Sequence, residues 1–429
     1  MSRQSVGCFI LALVALCLVG WLVYQIPPVN QRLSWRVEAI QSRLRYAINP
    51  PQKEVFQPVG QPLPKEADKL PTATLTPVPT ATPTLLGPTA TPIPTSTPTL
   101  VPTPLPPQAL LSGFVHEYQL WNNCGPANLA MALSFWKWKG DQRDTAAVLK
   151  PNTRDKNVMP YEMVDFVNEQ TDLRALMRVG GDPGMLKAFI AAGFPVIVEK
   201  GFEGVSFDGW MGHYEVVNGF DDTAQEYTVQ DSYKGPNLKV PYDELASQWR
   251  AFNNTFIVTY PPEREAEVYS ILGAQADVNT NYQDALQKSI AETPDLTGRD
   301  QFFAWYNRGS SLVALHDYQN AVTAYDAAFA NYANIPEDQR PWRMLWYQTG
   351  PYFAYYYTGR YQDVVNLATE TIKNDHEKVL EESFYWRGMA QLALGDNEAA
   401  IADLQQSLKA HPGFIPAVEE LKALGVAVK

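Results

Sequence analysis

The sequence predicts a multidomain chain of 429 residues. In order, it carries an N-terminal membrane-anchor helix (1–28), a juxtamembrane helix (29–60), a disordered Pro/Thr stalk (61–110), an α+β domain (111–262) and an all-α solenoid of helical repeats (263–429). Three observations predict this. Residues 5–26 run about 20 positions without a charge, the length a helix needs to cross hydrocarbon. The 34 prolines crowd between Pro27 and Pro107, a composition that marks a linker. Beyond Glu265, aromatic and small residues recur with a 36-residue period, as in Tyr269 and Trp305. A composition of 45% hydrophobic and 12% aromatic residues is that of globular domains. The net charge of −12, without a basic patch, excludes nucleic acid as a partner.

The N-terminal run lacks a small-x-small cleavage site and is expected to remain as an anchor. Arg3 precedes it, and Arg32, Arg36, Arg43 and Arg45 follow. Counted simply, these hold the C-terminal side inside, but long downstream domains translocate largely regardless of charge. Leu33, Val37, Ile40 and Leu44 form a heptad-like stripe too short for a coiled coil. The Thr-Pro repeats cannot build a core and should act as a semi-rigid spacer of ~100 Å at about 3.1 Å per residue. Such a stalk places the globular part outside the cytoplasm.

Within 111–262 the pattern predicts a helix after Cys124, a helix near Tyr161–Glu169 and a strand at Leu173–Val179. A helix Pro183–Ala192 follows, opened by its proline and closed by Gly193, and then a buried strand Phe194–Glu199. Gly201–Gly212, rich in glycine and aromatics, reads as a loop over a site. His213–Phe220 and Glu226–Asp231 form a hairpin turning at Asp221-Asp222-Thr223-Ala224, and Phe256–Tyr260 supplies a closing strand.

Cys124 is the one cysteine outside the apolar run, which holds Cys8 and Cys17. It precedes a helix that is apolar nearly all round, with Pro126 in the first turn. Unpaired N–H groups and the positive end of the macrodipole at that position favour thiolate. If the hairpin reverses near Asp222, paired residue numbers sum to about 444 or 445, which sets His213 opposite or diagonal to Asp231. A cysteine nucleophile needs a base, and the base needs an orienting group. Cys124, His213 and Asp231 suit those roles. The Cys124 N–H and the side-chain amide of Gln119 are candidate oxyanion donors, with Asn122 and Asn123 as substitutes. The five histidines show no ligand spacing with the cysteines, so no metal or other cofactor is expected.

Gln119-Leu-Trp-Asn-Asn-Cys124-Gly-Pro-Ala, Gly212-His213-Tyr-Glu-Val-Val-Asn-Gly-Phe-Asp-Asp and Val229-Gln-Asp231 resemble the papain-like cysteine peptidases of the C39-like family. These are relatives of the domains that remove double-glycine leader peptides in bacteriocin exporters. The resemblance implies a papain-like fold, a Cys124-His213-Asp231 triad and Gln119 at the oxyanion. The transporter spans and nucleotide-binding domain of those exporters are missing from this sequence, so glycine-leader specificity is not carried over.

The 36-residue period resembles tetratricopeptide repeats. It aligns Tyr269-x-x-Leu272-Gly273, Trp305-x-x-Arg308-Gly309 and Phe384-x-x-Arg387-Gly388, with a degenerate copy near Trp346–Thr371. Four units suffice for a continuous core. Such repeats serve either as a concave protein-binding surface or as a docking appendage. The leading expectation is a membrane-anchored extracytoplasmic cysteine peptidase acting on a peptide or protein substrate, with the repeats holding substrate or partner. The alternatives are a catalytically silent surface scaffold binding through its repeats, and the same triad used on amides, thioesters or acyl transfer.

Overall fold

The computed structural model describes residues 3–26, isolated positions between 29 and 58, and residues 105–155, 157–203 and 209–428. Helix α1 covers Arg3–Tyr24. Among the residues whose side chains are described, no helix is long and apolar enough to cross a membrane, so the anchor expected over 1–28 gains no support here. The helix expected over 29–60 and the Pro/Thr stretch lie almost wholly outside the described residues. The boundary at 110 needs correction, because Gln108–Leu110 form strand β1. Its residues pair antiparallel with Gly219–Asp221, backbone hydrogen bonding that composition does not reveal.

The α+β domain is built on an antiparallel sheet. Besides β1, it contains β2 (Arg174–Arg178), β3 (Val196–Glu203), β4 (Trp210–Asp221), β5 (Glu226–Asp231), β6 (Gly235–Pro241) and β7 (Phe256–Tyr260), in the order β2-β7-β3-β4-β5-β6. Alternation sends neighbouring side chains of a strand to opposite faces. Ile197, Val216 and Ile257 pack with Leu129 and Leu133 of helix α2 (Cys124–Phe135). Helices α3 (Gln142–Leu149) and α4 (Pro160–Gln170) complete that layer through Leu149, Met163 and Phe166. Val196, Val198 and Val217 face the other way, against Leu186 and Phe189 of α5 (Pro183–Ala191) and Trp249 of α6 (Tyr242–Arg250). Leu129 and Leu133 are fully buried, each worth about 1.5–3 kcal/mol. Asp182 accepts the Met185 N–H at 2.9 Å to open α5, and Gly193 at φ 87° turns the chain out of it.

The loop expected across Gly201–Gly212 is strand at both of its described ends. Gly201 pairs with Gly212, Phe202 with Met211 and Glu203 with Trp210, and residues 204–208 lie outside the description. The two glycines answer to packing. A Cβ on Gly201 would meet the Trp210 indole at 2.5 Å, and one on Gly212 the Phe252 ring at 2.7 Å.

Beyond β7 the chain is helical: α7 (Glu265–Leu272), α8 (Val278–Glu292), α9 (Gly298–Ala314), α10 (Tyr318–Tyr332), α11 (Met344–Tyr347), α12 (Gly350–Tyr357), α13 (Tyr361–Asn374), α14 (Glu381–Ala393), α15 (Asn397–Ala410) and α16 (Ile415–Ala423). Gly309 of α9 lies under the Tyr325 ring of α10, where a Cβ would come within 2.6 Å. That contact explains the glycine at this repeat position. The helical region packs directly on the sheet domain. Trp210 and Phe252 join Phe303 and Tyr306 in one core. Asn307 Oδ1 accepts the Asn253 N–H at 3.0 Å, while its Nδ2 donates to the Arg250 carbonyl at 2.7 Å. Phe56 is buried in the same core, its ring edge-on to Phe329 at 5.0 Å.

A second contact between the two regions gathers acids. Asp155, Glu381 and His411 bring their ligand atoms within 4.8 Å of one another. Spacing along the chain gives no sign of this group, because its members come from three separate segments. Burial, with repulsion from Glu381, raises Asp155 to about 8. Burial likewise raises Glu162 and Glu381 to about 8. Each acid is therefore protonated in the folded chain at pH 7 and ionised in the unfolded one, whose carboxyls titrate near ~4. Stability is full below that value and is lost as pH rises through about 8. The urea midpoint should fall between pH 6 and 9, and Glu381→Gln should flatten that fall. Equal slopes in both proteins would contradict the assignment.

Candidate active site

The turn ahead of α2 is held from behind. Lys150 Nζ donates to the carbonyls of Trp121 and Asn122 at 3.1 Å each and to Asn123 Oδ1 at 3.0 Å. Buried Gln142 accepts the Leu120 N–H at 2.7 Å and donates to the Tyr118 carbonyl at 2.9 Å. Asn122 turns through φ 52°, a conformation asparagine tolerates better than most residues. With its side chain engaged by Lys150, Asn123 makes no side-chain cap on α2. The first-turn N–H groups are thus left uncapped beside Cys124. Gly125 next to it is closely packed, since a Cβ there would sit 3.2 Å from Val158 Cβ.

His213 lies on β4 and Asp231 ends β5, with 3% and 1% of their surfaces exposed. Val216 pairs with Gln230, so the register sum is 446 there rather than the expected 444 or 445, and it rises to 447 past the bulge between Val217 and Gly219. His213 is therefore diagonal to Asp231. Its Nε2 meets Asp231 Oδ1 at 2.9 Å. The same carboxylate oxygen accepts the N–H groups of Tyr233 at 2.7 Å and Lys234 at 3.0 Å. Phe202 packs on the imidazole with ring centroids 5.0 Å apart.

The electrostatics follow from burial set against partners. Burial lifts the Cys124 thiol, but the hydrogen bond and charge of His213, with N–H groups of Tyr214 and Gly125, bring it below its ordinary value. Burial lowers His213, yet the charge and hydrogen bond of Asp231, reinforced by Cys124, raise it to about 9. Burial opposes ionisation of Asp231 too, but His213, Lys200 and the Lys234 N–H hold it well below the usual carboxylate range. Since Nε2 is taken by Asp231, Nδ1 is the ring nitrogen left for the sulfur. Gln119 Oε1 accepts the Ser232 hydroxyl at 2.8 Å, and its N–H donates to the Ser232 carbonyl at 2.9 Å. Cys124, His213 and Asp231 are thus brought into one chain of contacts, and Gln119 is tied to Ser232, the neighbour of Asp231.

Several neighbours escape sequence reading. Lys200, paired with His213 across β3 and β4, places Nζ 2.6 Å from Glu215 Oε2, both fully buried. Glu199, opposite Tyr214, is held well above its ordinary value by burial. The Glu-Lys in Val-Ile-Val-Glu-Lys and the Glu in His-Tyr-Glu-Val-Val, ionisable residues inside apolar strands, were the available signal. Asn128, fully buried in α2, is another such residue.

Residues 111–257 match the model of the Peptidase_C39 like family, and residues 382–413 match that of the tetratricopeptide repeat. The chain thus carries a C39-like peptidase domain followed by a helical region with a tetratricopeptide repeat. Among solved structures, it is similar to a protein from Bacillus anthracis described as a C39-like peptidase. The two are 17% identical over 35% of this chain and 96% of that one, with a TM-score of 0.30. It is also similar to a double glycine motif protease from an AMS/PCAT transporter, solved in complex with the leader peptide. That match is 20% identical over 36% of this chain and 98% of the other, with a TM-score of 0.27. No curated protein matches the chain.

A lowered thiol beside a raised imidazole favours movement of the Cys124 proton toward His213. Iodoacetamide should alkylate Cys124 readily at pH 6–7, where an ordinary thiol of pKa about 8.5 is mostly protonated. His213→Ala should move the alkylation profile up toward the ordinary thiol range. A wild-type profile already centred there would refute the pairing.

Proposed function

We propose that this protein is a cysteine peptidase. Cys124 attacks the carbonyl carbon of a peptide bond, and His213 takes the thiol proton and later gives it to the leaving amine. Asp231 orients the ring, and the Cys124 N–H with the Gln119 amide stabilises the oxyanion. The observation that carries this reading is the buried His213, engaged by Cys124 on one side and held at 2.9 Å by Asp231 on the other. The match of 111–257 to a peptidase family supports it.

The helical region is proposed to hold the substrate or a partner protein. A placement outside the cytoplasm, anchored by residues 1–28, is proposed from the apolar run and the Pro/Thr stretch of the sequence.

Cys124→Ala should abolish peptide cleavage while leaving the unfolding midpoint close to wild type. Asp231→Ala should lower kcat more than Asp231→Asn, which keeps an acceptor for His213 Nε2 as in Cys-His-Asn triads. With His213 at about 9, kcat should decline on the alkaline side near that pH as the general acid is lost. Cleavage that survives Cys124→Ala would overturn the proposal.

A further inference from the structure

Asn128 sits one turn into α2 with no exposed surface. Its Nδ2 lies 2.9 Å from the Cys124 carbonyl, 2.6 Å from the Tyr214 carbonyl and 2.9 Å from Ser232 Oγ, so its two hydrogens serve three acceptors and one of them is shared. These acceptors belong to, or adjoin, each member of the Cys124, His213 and Asp231 set. The two carbonyls can only accept, so the amide is locked with its NH₂ toward them and Oδ1 has no hydrogen-bond partner. Ser232 Oγ, receiving from Asn128, sends its own proton to Gln119 Oε1 at 2.8 Å. In this arrangement the Gln119 oxygen is occupied by the Ser232 hydroxyl, and its NH₂ is the end left for an oxyanion.

We propose that Asn128 is a positioning residue that, through Ser232, presents the Gln119 NH₂ as an oxyanion donor. The relay touches neither the thiol nor the imidazole. It therefore separates two steps that a general loss of structure would impair together: formation of the thiolate, and stabilisation of the tetrahedral intermediate. The inference rests on the cysteine-peptidase reading.

The test compares two reagents on the full chain: alkylation by iodoacetamide, which passes through no oxyanion, and acylation by p-nitrophenyl acetate, which does. Asn128→Ala and Ser232→Ala should each slow acylation by roughly 10- to 100-fold, up to the range of removing an oxyanion donor. The rate and pH profile of alkylation should stay at wild type. Ser232→Thr, which keeps the hydroxyl, should restore acylation. In a Gln119→Ala background, neither change should slow acylation further, the non-additivity expected of residues acting through one group.

Acylation unchanged in Ser232→Ala, a loss additive with that of Gln119→Ala, or a parallel loss of alkylation would overturn the proposal. If Asn128→Ala fails to unfold cooperatively, Ser232→Ala decides. Wild-type protein that reacts with neither reagent removes the peptidase reading and this inference with it. Wild type that reacts while Ser232→Ala equals it removes the inference alone.

Discussion

An imidazole and a carboxylate, both almost wholly out of water, share a hydrogen bond of 2.9 Å between β4 and β5. Ionising either one there without the other would be costly. The surrounding structure reduces that cost. Backbone N–H groups of residues 233 and 234 point at Asp231, and the buried ammonium of Lys200 lies one strand away, its own charge met by Glu215. These partners favour the ionised carboxylate and the protonated ring, whose charge and hydrogen bond in turn lower the Cys124 thiol.

The sheet and α2 have complementary tasks. The sheet supplies rigid register, because a one-residue slip between β4 and β5 would send His213 and Asp231 to opposite faces. The helix supplies a start whose N–H groups no side chain has capped. Lys150 and Gln142 brace the preceding turn, so the segment carrying Gln119 is held from the side away from the sulfur. Few of these supports lie near one another in sequence, and together they fix atoms from four segments.

The hairpin was legible because its turn residues and alternation stand in plain view, and counting set His213 opposite or diagonal to Asp231, of which the ladder shows the diagonal. The sum differed because Asp221 pairs with Glu226, which centres the turn beyond Asp222 and starts the ladder at 447; the bulge at Val217–Gly219, which leaves no compositional mark, brings it back to 446. The glycines at 201 and 212 misled for a related reason. Glycine signals a turn when read locally, but here it makes room for Trp210 and Phe252, which arrive from elsewhere in the chain. The same holds for Asn128, Ser232 and the Asp155–Glu381–His411 group, whose partners are set by tertiary contacts alone. The repeat period did point to helix pairs where Gly309 and Gly388 sit at helix contacts, whereas Gly273 of the first aligned copy has nothing within 4 Å.

Phe56 gives the Pro/Thr-rich interval an unexpected geometry. Its ring is seated among Phe329, Tyr355 and their neighbours, while Gln108 is stitched to Asp221 at the sheet. Both ends of the interval are therefore fastened to the same folded body, whatever path lies between. A single proteolytic cut inside it would leave a fastened segment on either side, Phe56 in the helical core and Gln108 at the sheet.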